Sequence, residues 1–299
     1  MEAGRQASPF KKGASFIEFW DGLPPILAAS DIKKVAQAIV SAREKGRPVV
    51  LGMGAHPIKL GLSPLIIQLM QRGIITMLAT SGASIIHDFE LAYIGKTSED
   101  VAEELHKGTF GMARETGLYL NRAVNKGVKE GLGLGESVGK MIAQSRFPYK
   151  EDSLFGNAYA LRVPATVHVS IGADIIHMHP SADGAAIGEA TFRDFRLFAS
   201  AISGLDGGVY INLGSAVQMP EVFLKALTIA RNIGNQTGHR VEKITTVDMD
   251  FVRHYRPREN VLKRPTMRGG QSFSLTGHHE IMFPLLAAAV IEGMGEKGI

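Results

Sequence analysis

Four short apolar runs of this sequence end in glycine, serine or threonine, residue types that let a ligand approach the backbone closely. Uninterrupted apolar runs are typical of parallel strands that are buried on both faces of a sheet. Where such strands stop, hydroxyl groups and accessible backbone amides are the contacts that a ribose or a phosphate requires. The sequence therefore predicts a nucleotide-type crevice at the strand ends, which lie at residues 49–52, 77–82, 211–215 and 244–246.

The chain contains no cysteine, which excludes disulfides, thiolate zinc sites and a cysteine nucleophile. Any catalysis therefore rests on lysine, histidine, aspartate or glutamate. His177 and His179 are two positions apart in a strand-like segment, and Asp183 follows them. Histidines at alternate strand positions can share a zinc or iron ion with a carboxylate, so a metal-dependent hydrolase is one alternative. The other alternative, which we predict, is that both histidines move protons near a reacting amine and no metal is bound.

The formal net charge of +4 arises from 33 basic and 29 acidic residues that are interspersed along the chain. This distribution indicates a solvated surface rather than one that binds nucleic acid. No apolar run reaches the roughly 20 residues of a membrane span, and none of signal-peptide length follows the first basic residues. We therefore expect a soluble, cytoplasmic protein that binds neither nucleic acid nor membrane.

Helix-type and strand-type patterns alternate over most of the 299 residues. Apolar residues recur at helical spacing in 30–46 and 63–73, and a strand-like run follows each segment. Strand, helix and strand within about thirty residues form a right-handed βαβ unit. Further strands are predicted at 165–170, 208–213 and 244–247, and a final helix at 283–291. The predicted fold class is α/β, a single domain over 1–299 with a mainly parallel, Rossmann-like, doubly wound sheet.

Glycines interrupt the helical pattern of residues 96–150, most densely in the run GLGLG at 131–135. Each glycine in a helix interior costs about 1 kcal/mol relative to alanine. We therefore interpret this segment as a glycine-rich helical insertion or lid rather than as part of the core.

The order of several short motifs resembles that of deoxyhypusine synthase. The N-terminal motifs are VLGMG at 50–54, LATSGA at 78–83 and YIG at 93–95. The later motifs are DG at 183–184, GE at 188–189, LGS at 213–215 and FPLL at 283–286. The matched order extends over residues 30–95 and 155–292.

This resemblance implies an NAD-dependent transferase that acts on a small-molecule amine. Enzymes of that family oxidise spermidine with NAD, carry an aminobutyl group as an imine on a lysine, and deliver it to an acceptor amine. The family's lysine follows an Arg-Pro-x-Glu run, which residues 256–259 match, so the resemblance makes Lys263 the candidate nucleophile. A lysine attacks an imine only when it is neutral, which requires burial or neighbouring cations such as Arg256 and Arg264. The acceptor is either a protein lysine or a free diamine, and the family implies a homotetramer with sites shared between subunits.

The resemblance also implies which residues contact the ligands. The cofactor contacts are Ala55, His56, Lys59, Thr80, Ser81, Gly82, Asp183, Ser215, Thr246, His278 and His279. The amine contacts are His87, Asp88, Glu189, Asp250 and Glu259. Residues 80–82 combine hydroxyls with a close backbone amide at a strand end, which makes them the clearest part of the predicted cofactor site.

The sequence departs from the family pattern at both predicted sites. Ile85 and Ile86 stand where the family has two glutamates, and His56 and Pro57 replace an Asn-Leu pair. A polyamine pocket needs carboxylates to offset the desolvation of its charges. A shorter diamine or a different amine is therefore as good a candidate substrate as spermidine. These replacements also favour one further alternative, a non-catalytic paralogue that binds a nucleotide.

Overall fold

A six-stranded, wholly parallel sheet forms the centre of the computed structural model, which describes residues 5–295. Its strands are β1 (Val49–Met53), β2 (Met77–Ser81), β3 (Ala165–His168), β4 (Val209–Leu213), β5 (Thr245–Asp250) and β6 (Gln271–Thr276). Their order across the sheet is β3-β2-β1-β4-β5-β6. The chain winds outward from β1 in one direction and from β4 in the other, so the order reverses between these two strands. This arrangement confirms the predicted α/β, doubly wound, Rossmann-like class.

Helices cover both faces of the sheet. Those before β3 are α1 (Phe16–Gly22), α2 (Leu27–Glu44), α3 (His56–Lys59), α4 (Ser63–Gln71), α5 (Gly82–Ile94), α6 (Val101–Lys107), α7 (Arg114–Lys129), α8 (Leu134–Ala143) and α9 (Leu154–Ala160). Those after it are α10 (Gly184–Ser203), α11 (Gln218–Thr237), α12 (Arg264–Thr266) and α13 (His279–Gly293). Short 3-10 turns occupy Lys150–Asp152 and Ile175–Met178, and a π-helical segment spans Pro257–Lys263. Within residues 5–295, no helix has the length and apolar character needed to cross a membrane.

The two faces of the sheet carry separate apolar clusters. Leu51 and Met53 of β1 belong to the larger cluster, which includes side chains of α2, α4 and α13. Val50 points the other way and joins the smaller cluster with Phe198 of α10 and Phe223 of α11. Because both faces are covered, β1 and β4 at the centre of the sheet are almost entirely apolar.

Strands β1 to β5 lie where strands were predicted, with shifted ends: β2 begins at Met77 and β5 extends to Asp250. Strand β6 has no counterpart among the predicted strands. Its residues are mostly polar and partly exposed because it lies at one edge of the sheet, so it lacks the apolar run of the central strands. Helix α13 begins at His279 rather than at 283, and this earlier start carries a histidine into the site described below.

The segment predicted to be an insertion or lid packs directly against the sheet. Helices α7 and α8 bury several apolar side chains completely, among them Leu120, Val124 and Val138. A methyl group at Gly133 would lie 1.8 Å from a carboxylate oxygen of Asp194, and one at Gly135 would lie 2.1 Å from the Ala165 carbonyl oxygen. Gly133 and Gly135 therefore permit close contact between α8, β3 and α10.

Candidate functional site

Two glycines bring the loops after β1 and β4 into direct contact where the strand order reverses. The Gly54 amide donates to the Leu213 carbonyl at 3.2 Å. A methyl group at Gly54 would lie 2.5 Å from the Gly214 carbonyl oxygen. Gly214 has a φ of +61°, and a methyl group there would lie 2.8 Å from Cε1 of His279. Ligands of open parallel sheets bind outside the carboxyl ends of the strands at such a reversal, so the candidate site lies over Gly54 and Gly214.

The imidazole of His279 is buried directly over Gly214. The residue is 1% exposed, and it begins α13. Its Nε2 lies 3.1 Å from the Met249 carbonyl oxygen and 3.9 Å from Oδ1 of Asp250. Burial, the largest effect, lowers the pKa of His279 below its ordinary value. The ring is therefore neutral near pH 7.

Three further rings surround His279, and we call the four together the ring cluster. His56 meets His279 edge to face, with ring centroids 5.2 Å apart. Phe251 lies 6.0 Å from His279 and stacks on His278 at 6.5 Å. Phe251 is 48% exposed, so the ring cluster extends from the buried His279 to solvent. Exposed aromatic faces of this kind can stack on a base or on a nicotinamide ring.

Asp250, the last residue of β5, provides a carboxylate next to the ring cluster. Its side chain is 6% exposed, and Oδ1 accepts a hydrogen bond from the Phe251 amide at 2.8 Å. Oδ2 lies 3.9 Å from Nε2 of His254. The structure thus brings one predicted amine contact, Asp250, together with the predicted cofactor contacts His56 and His279.

A buried polar network lies beneath these loops. Nδ2 of Asn212 donates to Oδ1 of Asp248 at 2.8 Å and to the Ser215 carbonyl at 2.9 Å. Burial raises the pKa of Asp248 to about 6, although the bond from Asn212 opposes this shift. The Tyr210 hydroxyl lies over Gly52, and burial raises its pKa well above the usual range. This network fixes the loop after β4 and therefore the position of Ser215.

A second carboxylate reaches the same edge of the sheet from the loop after β3. Ser81 ends β2, and Gly82 begins α5. A methyl group at Gly82 would lie 2.0 Å from a carboxylate oxygen of Asp174, so this side chain covers the first turn of α5. Asp174 is buried, and its burial raises the pKa of the carboxyl group. A carboxylate in this position suits a ligand ammonium group.

The groups at this edge fit a dinucleotide. Gly54 and Gly214 allow a ligand to approach the backbone, as the glycines of dinucleotide-binding folds do. His56 and Lys59 lie on α3, directly after β1, where they can offset phosphate charge. The Nδ1 atom of His279 is buried without a hydrogen-bond partner in the described part of the chain, as expected of a ligand contact in the free protein.

Other predicted cofactor contacts lie beneath this edge or serve as helix caps. Thr80 and Thr246 are both 0% exposed within the sheet. Asp183 accepts hydrogen bonds from two amides in the first turn of α10, at 2.9 and 3.2 Å. The Ser215 hydroxyl accepts one from the first turn of α11 at 3.2 Å. Asp183 and Ser215 therefore have a structural role in the free chain, whereas the buried Thr246 hydroxyl has no hydrogen-bond partner among the described residues.

The segment around His177 and His179 is a 3-10 turn, Ile175–Met178, so the expected strand is wrong. The two rings make separate contacts: Nδ1 of His177 accepts from the Gly172 amide at 3.3 Å, and Nδ1 of His179 lies 2.7 Å from the Ser181 hydroxyl. Among residues 5–295, no three His, Cys, Asp or Glu side chains are grouped to hold a metal ion. This geometry does not support a hydrolase built on the two histidines, and their role in proton transfer stays a prediction.

Asp88 and His87, two predicted amine contacts, form hydrogen bonds within the chain. The Asp88 carboxylate accepts from the Ser153 hydroxyl at 2.5 Å and from two amides at the start of α9, at 2.7 and 3.2 Å. Burial raises the pKa of Asp88 to about 6. Nδ1 of His87 lies 2.7 Å from the Thr97 hydroxyl, and burial lowers the pKa of His87. Asp88 therefore caps the start of α9.

Lys263 and Glu259 lie on the π-helical segment between β5 and β6. The Lys263 side chain is 68% exposed, and its Nζ lies 3.9 Å from Oε2 of Glu259. Glu189, on α10, forms an ion pair with Arg193. Within the described residues, the ion pairs of Lys263 and Glu189 include no member of the ring cluster. Among the described residues, the ion pairs of Asp250 are with His254 and His279.

Several residues of this edge are missing from the predicted set, among them Gly54, Asp174, Asn212, Gly214 and Phe251. Asp174 and Phe251 follow the ends of β3 and β5, so the strand-end pattern that indicated Ser81 and Ser215 applies to them as well. Asn212 was detectable as the one amide inside an otherwise apolar run. Nothing in the sequence indicated that Gly214 would contact His279, because the two residues are distant along the chain.

The chain matches no protein-family model and no curated protein. Its structure is similar to a candidate deoxyhypusine synthase from Entamoeba histolytica, with 13% identity and a TM-score of 0.57 over 96% of both chains. It is similar to AgrE in ternary complex with ornithine and NAD+, with 15% identity and a TM-score of 0.54 over 87% of this chain and 32% of AgrE. It is also similar to ArgZ, an arginine dihydrolase of the ornithine–ammonia cycle in cyanobacteria, with 14% identity and a TM-score of 0.53 over 89% of this chain and 32% of ArgZ.

These similarities confirm a divergent deoxyhypusine synthase-like fold. The chain spans about a third of the length of AgrE and ArgZ, 32% in each case, but 96% of the E. histolytica protein. At identities of 13–15% the likeness establishes the fold, and the chemistry has to be argued from the side chains at the site.

Proposed function

We propose that this protein binds NAD at the carboxyl edge of its sheet and uses it to oxidise a small amine, whose aminoalkyl group passes to an acceptor amine. The observation that carries the proposal is the contact of Gly54 with Gly214 at the strand-order reversal, beside the buried pair of His279 and Asp250. Folds of this class bind dinucleotides at such a reversal. The structure is similar to that of AgrE in complex with ornithine and NAD+. This similarity supports the proposal that the fold binds both a cofactor and an amine.

The side chains at this edge have distinct roles in the proposal. His56 and Lys59 offset the phosphate charge of the dinucleotide, and the exposed face of Phe251 packs on one of its rings. Asp250 receives the ammonium group of the amine, because a carboxylate offsets the cost of removing that group from water. When bound, NAD takes a hydride from the carbon next to the amine nitrogen and returns it at the end of the transfer.

We further propose that Lys263 carries the aminoalkyl group during the transfer. Its Nζ forms a bond to the imine carbon of the oxidised substrate, the bond from that carbon to the leaving nitrogen breaks, and the leaving amine departs with a proton. The acceptor amine then displaces Lys263 by the same sequence of steps. Lys263 is 68% exposed in a single chain, so this role requires another surface to cover it.

Borohydride trapping tests the role of Lys263. After incubation with NAD and either 1,4-diaminobutane or spermidine, borohydride is expected to leave an aminobutyl mass on the peptide that contains Lys263. Lys263→Ala should lose this adduct completely. Lys225→Ala is the matched control, because Lys225 is likewise exposed and paired with a glutamate four residues away. Intact-protein and peptide mass spectrometry provide the measurement.

Two results would contradict the transfer reaction. An adduct that persists in Lys263→Ala would remove this lysine from the mechanism. An absence of adduct with either amine, in folded protein that binds NAD, would leave a nucleotide-binding paralogue as the function.

We propose in addition that the protein is a homotetramer, the assembly that the resemblance implies. Exposed apolar side chains follow the ends of several strands: Ile171 (71% exposed), Val217 (51%) and Ile281 (63%). Apolar side chains exposed beside a binding edge indicate a surface that another chain covers. Light scattering is expected to give four times the chain mass of 32.2 kDa, and a monomer mass at micromolar concentration would contradict the proposal.

A further inference from the structure

His279 has a buried ring nitrogen without a hydrogen-bond partner, as His177 does among the described residues. The residue is 1% exposed, and within residues 5–295 its Nδ1 has no hydrogen-bond partner. Leaving a buried polar atom unpaired costs about 1–3 kcal/mol. A bound molecule that donates a hydrogen bond to Nδ1 would remove this cost. His279 therefore has an unfilled hydrogen-bonding position at the strand-order reversal.

The other ring nitrogen determines which tautomer His279 adopts. Nε2 lies 3.1 Å from the Met249 carbonyl oxygen, which can only accept a hydrogen bond. Nε2 therefore carries the proton in the neutral ring, and Nδ1 carries the lone pair. The backbone of β5 thus holds the imidazole as a base whose basic atom is Nδ1.

Burial favours the neutral form of His279 in the free protein, and nearby carboxylates stabilise the ring once it is protonated. Burial, first, and the neighbouring His56 lower the pKa of His279, whereas Asp250 and Glu280 raise it. Oδ1 of Asp250 lies 3.9 Å from Nε2, so an imidazolium would have a buried carboxylate beside it. At this distance the carboxylate acts through its charge, since the Nε2 proton is bonded to the Met249 carbonyl.

Contacts with Gly214 and with two neighbouring rings fix the position of the His279 imidazole. A methyl group at Gly214 would lie 2.8 Å from Cε1, so only glycine leaves room for the imidazole there. The rings of His56 and Phe251 lie against it, at centroid distances of 5.2 and 6.0 Å. A base held in one place in this way can meet a bound substrate in a fixed geometry.

We infer that His279 is the proton acceptor of this site: its Nδ1 takes a proton from the nitrogen of the bound amine. The N–H bond of the amine breaks, an Nδ1–H bond forms, and the electron pair left on the nitrogen becomes available for the C=N bond of the oxidised product. Asp250 stabilises the resulting imidazolium. This inference rests on the proposed amine oxidation, and it gives the proton step to His279 in place of His177 and His179.

Nuclear magnetic resonance of protein labelled with nitrogen-15 in its histidines tests the inference without any turnover. The free protein is expected to show His279 as the Nε2–H tautomer, still neutral at about pH 6.5, the ordinary pKa of an imidazole. Addition of NAD and 1,4-diaminobutane should then shift the Nδ1 signal. An Nδ1–H tautomer, half-protonation of His279 at or above about pH 6.5, or no shift at saturating amine would overturn the inference.

The variant His279→Gln separates basicity from structure. Its side-chain amide can still donate to the Met249 carbonyl, but it has no basic nitrogen. Oxidation of 1,4-diaminobutane, followed by the absorbance of reduced NAD, is expected to fall about 10²-fold or more, and the acidic limb of the pH–rate profile should disappear. His106→Gln should leave both unchanged. An unaltered pH profile in folded His279→Gln would refute the inference while the proposed function stands, whereas failure of the native protein to bind NAD would refute the proposed function.

Discussion

Replacement of Gly54 by alanine is expected to abolish NAD binding and to lower the free energy of unfolding by about 2 kcal/mol. The added methyl group would lie 2.5 Å from the Gly214 carbonyl oxygen, which belongs to the backbone and cannot rotate away. The loops after β1 and β4 must then separate, and His279 loses the glycine surface on which it packs. Calorimetric titration with NAD and urea unfolding measure the two effects.

Gly188→Ala is the matched control for Gly54→Ala. Gly188 lies inside α10, and a methyl group there meets no atom within 4 Å. This variant is expected to keep the NAD affinity of the native protein and to gain as much as about 1 kcal/mol of stability, because alanine is the better helix former. Native NAD affinity in Gly54→Ala would show that the cofactor does not bind at the strand-order reversal.

The sequence predicted the central strands because their burial on both faces leaves a clear signature. β1 and β4 contain runs of apolar residues that stop at glycine, and both were predicted to within a residue or two. β6 has no such signature, since four of its six residues are glutamine, serine or threonine. It forms a strand because β5 offers a free edge, and pairing at an edge is determined by tertiary contact rather than by local pattern.

The sequence indicated residues of the candidate site at individual strand ends, but it did not indicate which of these residues lie together. Ser81 was identified from its position at the end of an apolar run and Asp250 from the family resemblance, and both lie at the carboxyl edge. The contact of His279 with Gly214 joins residues that are far apart in the sequence, and it depends on a turn after the unpredicted β6. Thr80 and Thr246 are fully buried, because helices cover both faces of the sheet.

The glycine-rich run at 131–135 illustrates how one residue type supports two interpretations. Glycine lowers helix propensity, which favours a mobile lid, but it also permits the closest approach of two backbones. The packing of Gly133 and Gly135 against Asp194 and Ala165 makes close approach the reason for these glycines. A sequence alone cannot distinguish the two interpretations, because the contacting residues lie in β3 and α10.

Asp194→Ala is expected to lower the free energy of unfolding by about 3 kcal/mol, because two buried amides lose their acceptor at about 1–3 kcal/mol each. Asp194 is 1% exposed, and its Oδ2 accepts from the Gly135 amide at 2.9 Å and from the Val167 amide at 2.7 Å. It therefore ties the start of α8 and the outer edge of β3 to α10. Urea unfolding measures the loss of stability. Glu136→Ala, which changes an exposed residue of α8, is the control. An equal loss of stability in the two variants would contradict the role of Asp194.

Asp194→Asn isolates the pH dependence that this carboxylate confers. Burial raises the pKa of Asp194 to about 7, against hydrogen bonds from Gly135 and Val167 that lower it. The unfolded chain releases the same proton near pH 3.9. Since the folded state binds the proton more tightly, the stability due to this group is complete below about pH 4 and is lost as the pH rises through about 7. The stability of the native protein relative to Asp194→Asn should therefore fall between pH 5 and pH 8. A difference that grows over this range would mean that the amides of Gly135 and Val167 stabilise the ionised carboxylate by more than its burial costs.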